Sequence, residues 1–127
     1  MKHGKIYTVL RIIFGLVLLL FGVNGFLQFM GSPQLNEAGM AFLNALFNTG
    51  YMFIIIPLIF LISGVLYLVN RFVAFATTIL SPITFNIMLF HLFLDFNGMI
   101  FALVFLAFNV YFIVADWNKF KYLVKAN

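Results

Sequence analysis

His91 and Asp95 stand four residues apart near the end of a long apolar stretch, and His and Asp are residue types suited to moving protons. On a helix that spacing stacks them on one face, where the carboxylate would hold the imidazole in one tautomer. Thr77, Ser81 and Thr84 lie upstream, and the steps from Thr77 to Asp95 are 4, 3, 7 and 4 residues. The five side chains therefore share one helical face, which should point into a protein interior. One reading is a proton-handling or ligand-binding pair served by this stripe. The plainer reading is that His91 hydrogen-bonds another helix and Asp95 caps the turn before Asn97-Gly98. Asn24, in the run Phe21-Gly22-Val23-Asn24-Gly25-Phe26, falls at a similar depth and is placed to meet His91. The candidates for ligand binding or proton handling are thus His91, Asp95, Asn24, Thr84 and Ser81. One His and one Asp are too few for a metal site, so no metal ligands and no catalytic residues are assigned. His3 falls in a terminal tail and is a poor ligand. The chain has no cysteine, which excludes thiol catalysis, disulfides and thiolate-bound zinc or iron–sulfur clusters.

The elements that position these residues follow from composition. Of 127 residues, 65% are hydrophobic and 8% charged, against roughly 25% charged in a soluble domain. An ordinary soluble domain and a disordered chain are excluded. The net charge of +4 reflects scarce acids rather than a basic face, so nucleic acid is not a partner. An integral membrane protein remains. A spanning helix needs about 20 apolar residues, so about 80 hydrophobic residues make about four spans. The apolar runs fall at about 6–30, 51–69, 72–94 and 99–115. They are continuous rather than alternating, so they are helices and not barrel strands. The first run is too long for a signal-peptide core and lacks a small-x-small cleavage site, so it reads as a retained span.

The connections complete the plan. Gly31-Ser32-Pro33 should end the first span. Asn36 then reads as an N-cap and Glu37 suits the positive end of a helix dipole. Ala38, Phe42, Ala45 and Leu46 follow at helical spacing, predicting an interfacial helix over 36–48. Asn70-Arg71 and Asp95-Phe96-Asn97-Gly98 are tight turns. The expected fold is all-α: one integral membrane four-helix bundle with a short interfacial helix between spans 1 and 2.

Charge fixes an expected orientation. Lys2, Lys5, Arg11, Arg71, Lys119, Lys121 and Lys125 all fall at one face of a four-span plan, with Asp116 among the lysines. Glu37 and Asp95 fall at the other. The positive-inside rule then places both termini in the cytoplasm. Tyr7, Trp117 and Tyr122 suit the inner interface and Tyr51 the outer one. Arg11 and Arg71 act as topology determinants, or contact an anionic or quinone headgroup at the inner face, with Arg11 snorkelling. Asn109 is expected to pack against a polar partner. Gly15, Gly22 and Gly25 allow close helix approach, and Pro57 and Pro82 open their helices locally. The 19 phenylalanines fill the bundle, face lipid or line a pocket for an isoprenoid or aromatic ligand.

The run from Arg11 through Gly15, Gly22 and Asn24 to Phe26 resembles the opening span of DoxX-like membrane proteins. The Ser63-Gly64 step and the stretch from Asn70-Arg71 through Pro82, Asn86 and His91 to Asp95 are similar to the same family. The likeness covers nearly the whole chain, although Asn24 stands where a Lys is frequent. It implies a bacterial inner-membrane protein serving a redox or quinone-linked complex. The leading expectation is a non-catalytic membrane subunit or scaffold, with quinone or lipid as ligand and a membrane or peripheral redox protein, or a second copy, as partner. The alternatives are a small transporter or channel with a polar pathway along span 3, and an enzyme using His91 and Asp95 as acid and base.

Overall fold

The computed structural model describes residues 3–31 and 34–126. Lys2 of the basic set and the Ser32-Pro33 step lie outside the described residues. Four segments, Lys5–Leu27, Met52–Val69, Val73–Phe93 and Phe96–Ala115, are long and apolar enough to cross a membrane, with mean hydropathy from 1.7 to 2.8. The chain is a multi-pass membrane protein on that ground. The helices are α1 (Lys5–Leu27), α2 (Glu37–Asn48), α3 (Met52–Val69), α4 (Val73–Phe93), α5 (Met99–Ala115) and the one-turn α6 (Trp117–Phe120). No strand occurs among the described residues.

Local chemistry sets the ends. Asn36 caps α2, its side chain accepting from the Gly39 amide at 2.8 Å. Asn70 ends α3 in the left-handed region (φ 56), which Asn tolerates, and its amide donates back to the last turn. α1 stops at Leu27, about three residues before the apolar run does. Gln28 turns left-handed (φ 53), and the side chain of Asn24 accepts from the Met30 amide at 2.8 Å.

The four long helices form a bundle in the spatial order α1, α3, α4, α5, with α5 returning to α1. The α1–α3 seam is built on small residues. A Cβ at Gly15 would lie 3.1 Å from the Gly64 carbonyl oxygen, and one at Gly64 would lie 3.0 Å from that of Gly15. Gly22 admits Leu61 and Gly25 admits the Pro57 ring. These matches run in opposite directions along the two helices, so α1 and α3 are antiparallel. The close approach expected from the three α1 glycines is present, and Gly64 completes it.

The core is aromatic. Phe14 is fully buried, stacked on Phe108 with centroids 4.7 Å apart and edge-on to Tyr67 and Phe105. Large apolar side chains such as Phe85, Val104 and Ile100 face outward, as a lipid-facing surface requires.

Candidate functional site

Each end of the bundle carries a polar cluster, and two polar links join α4 to its neighbours, one at mid-helix and one nearer the basic end. Asn109 on α5 is buried; its Nδ2 donates to Ser81 Oγ at 3.0 Å and its Oδ1 accepts from Thr84 Oγ1 at 3.2 Å. Ser81 Oγ also donates to the Thr77 carbonyl. Ser81 and Thr84 thus stitch α4 to α5 through Asn109, whose polar partner the sequence led one to expect. Thr77 Oγ1 donates to the Val73 carbonyl, so it accepts from the Tyr67 hydroxyl, a second link between α3 and α4. The polar stripe on α4 is largely consumed in joining helices.

At the basic end, Asp116 is only 3% exposed. It lies at the lysine-bearing end as expected, but its carboxylate has no lysine partner among the described residues. Its Oδ1 accepts from His3 Nε2 at 3.0 Å and its Oδ2 from the Tyr7 hydroxyl at 3.1 Å. The His3 ring stacks on Tyr7, with centroids 3.6 Å apart and planes 15° off parallel. His3 is therefore an anchored residue rather than a tail. Tyr7 is buried rather than interfacial, because a buried carboxylate demands donors. Trp117, Tyr122 and Tyr51 are exposed, in keeping with an interfacial position. Arg11 is also buried: its Nη1 donates to the carbonyls of Tyr67 and Leu68 in the last turn of α3. It does not snorkel to the expected headgroup contact, because the negative end of the α3 dipole holds the guanidinium. Arg71 stays exposed, its guanidinium carbon 5.9 Å from the Phe72 ring centroid.

The opposite end holds His91 and Asp95, and their relation differs from the expected one. His91 Nδ1 lies 3.0 Å from the backbone carbonyl of Asp95, not from its carboxylate. The helix ends at Phe93, and Asp95 has a non-helical backbone (φ −151, ψ 83), so helical i,i+4 geometry does not reach it. The Asp95 side chain is 2% exposed and turns toward the first turn of α2. Gly39 makes that approach possible, since a Cβ there would lie 3.3 Å from the Asp95 Cβ and 3.2 Å from Phe90. Asp95 Oδ1 is buried with no hydrogen-bond partner among the described residues. The N-terminus of α2 supplies positive potential there. Asn24 does not reach His91, because its side chain closes the end of its own helix.

Beside His91 lies a cavity of about 660 Å³ between α2, α3 and α4, bordered by Gly25 of α1 and Phe101 of α5. Phe42, Leu43 and Leu46 place α2 over it as a roof. Phe42 meets Phe90, and Phe47 meets Phe53, at centroid distances of 5.4 and 5.5 Å. Both helix-opening prolines, Pro57 and Pro82, are in the wall, which is almost wholly apolar. The polar exceptions are His91 and Asn86. Asn86 is exposed, two-thirds of the way along α4, and makes no side-chain hydrogen bond among the described residues. Sequence reasoning missed this residue as a candidate, although an unpaired amide inside a span is the signal that marks it.

A four-span helical membrane protein with an apolar cavity at one end is what fold and site define. Comparison of the chain with family models, with characterised proteins and with solved structures returns no match. The DoxX-like resemblance rests on the residues that carry it alone.

Proposed function

We propose that this protein holds a lipophilic molecule with a hydrogen-bonding head in the cavity under α2. One observation carries the reading: His91 and Asn86, whose Nε2 and side-chain amide have no hydrogen-bond partner among the described residues, line the same otherwise apolar cavity. An amide inside a span is costly in hydrocarbon unless something pairs with it. About 660 Å³ is within the range of small-molecule sites, roughly 300–1,000 Å³. A quinone, an isoprenoid or a lipid has the required apolar body and polar head.

In this reading the protein is a non-catalytic membrane subunit of a bacterial inner membrane, serving a redox or quinone-linked partner. The DoxX-like resemblance supports that setting. The described basic residues (Lys5, Arg11, Arg71, Lys119, Lys121 and Lys125) gather at one end, which supports cytoplasmic termini and a cavity in the outer half of the bilayer. The transporter reading is weaker, because Thr77, Ser81 and Thr84 of α4 are spent on Asn109, Tyr67 and backbone carbonyls and leave no continuous polar path.

The test is native mass spectrometry of the full chain released from membranes in mild detergent. A retained lipophilic adduct is expected, lost in Ile56→Trp, which puts a larger side chain in the cavity wall and leaves His91 and Asn86 unsubstituted. A bare chain, together with an adduct-free variant of equal thermal stability, overturns the reading.

A further inference from the structure

The proposal concerns which head the cavity selects, and it rests on the cavity being a ligand site. Asp95 fixes the answer through its backbone. A carbonyl oxygen only accepts, so the 3.0 Å contact requires His91 Nδ1 to carry the hydrogen. In a neutral imidazole the other nitrogen, Nε2, is then a bare lone pair. Turning the ring over would put Cδ2 in place of Nδ1 and lose the bond to the Asp95 carbonyl. A Cβ on Gly98 would overlap Cε1 and Nδ1 and lie 3.2 Å from Nε2, so only glycine leaves the ring its place. Phe90 and Phe101 flank the ring edge-on, with centroids 5.0 and 6.2 Å away. Among the described residues the fully buried unpartnered atoms are Arg11 Nε, Ser63 Oγ and Asp95 Oδ1, and His91 Nε2 is not one of them. His91 lines the cavity, and Nε2 is its nitrogen without a hydrogen-bond partner among the described residues.

We propose that the cavity under α2 selects a lipophilic hydroxyl compound (a phenol, a quinol or a long-chain alcohol) whose O–H donates to His91 Nε2, over the corresponding ether or carbonyl. A carbonyl or ether oxygen would set lone pair against lone pair at Nε2 and leave that nitrogen unpaired in apolar surroundings. The selection depends on an oxygen-bound hydrogen at the head, not on tail length. Asn86 adds nothing to that selection, because its amide both donates and accepts.

The probes are para-dodecylphenol and its methyl ether, para-dodecylanisole, which share a tail and ring and differ in the O–H. Binding to the full chain in lipid nanodiscs is measured by equilibrium dialysis against protein-free nanodiscs, which removes partition into lipid. The phenol should bind about tenfold more tightly, about 1.4 kcal/mol. In His91→Phe, which keeps an aromatic ring, the preference should fall to near unity while the anisole still binds. Nitrogen NMR of histidine-labelled wild type supplies a readout independent of any variant: the Nε2 signal should move with the phenol and stay with the anisole. Equal binding of both probes by the wild type, or a preference for the ether, overturns the hydroxyl selection and leaves the cavity as a site. Binding of neither probe overturns the cavity reading itself.

Discussion

Gly98→Ala tests the geometry that holds His91. The Gly98 backbone (φ −95, ψ 14) is open to alanine, so the substitution carries no conformational penalty of its own. Its cost is collision. A Cβ there would overlap the His91 imidazole at Cε1 and Nδ1, far inside van der Waals contact. The ring must move, and moving it breaks the Nδ1 bond to the Asp95 carbonyl. Overpacking costs about 1–3 kcal/mol and a lost neutral hydrogen bond about 0.5–1.5 kcal/mol, so Gly98→Ala should destabilise by about 2 kcal/mol. The same change should be nearly free in a His91→Ala background, where the colliding ring is gone. The coupling energy of the two substitutions should then be about 1–2 kcal/mol. Reversible unfolding of the four proteins in mixed micelles, followed by circular dichroism, measures it. An equal cost of Gly98→Ala in both backgrounds would refute the reasoning, because the penalty would then come from the turn and not from the imidazole.

Three further outcomes follow from the packing. Gly64→Ala should loosen the α1–α3 seam by about 1–3 kcal/mol, because the atom it meets at 3.0 Å is the Gly15 carbonyl, which cannot rotate away; unfolding in micelles reads the loss. Asn109→Leu should cost about 0.6–2 kcal/mol by cutting the Ser81 and Thr84 links together, and adding Ser81→Ala should then cost little more. Tyr7→Phe removes one of the two donors to the buried Asp116 carboxylate and should cost about 1–3 kcal/mol, with the loss shrinking in an Asp116→Leu background; a double-mutant cycle on thermal unfolding checks it.

The helices were legible because hydropathy alone specifies them. A backbone in hydrocarbon has no alternative to helix, so the observed ends fall within about three residues of the apolar runs. The α1 glycines were legible for a similar reason, since close helix packing needs small residues. What was not legible depends on register between helices. Ser81 and Thr84 share a face that can be read from spacing, but their use is set by Asn109, more than 20 residues away on α5. His3 and Asp116 meet across nearly the whole chain. The His91–Asp95 pair shows a different limit. The spacing is right for a helix, but the helix stops at Phe93, so the carbonyl rather than the carboxylate arrives at the imidazole. The cavity was the least legible feature. Its wall draws on five helices, and α2, expected to lie on a membrane surface, contributes Phe42, Leu43 and Leu46 as its roof.

Photo-crosslinking in membranes tests the ligand site most directly. A para-alkylphenol bearing a diazirine on its tail, irradiated with the full chain in native membranes, should label cavity residues such as Leu46, Ile56 and Ile87, with labelling suppressed by excess para-dodecylphenol. Labels spread evenly over outward residues such as Phe85, Ile100 and Val104, and unaffected by the competitor, would contradict a ligand site under α2.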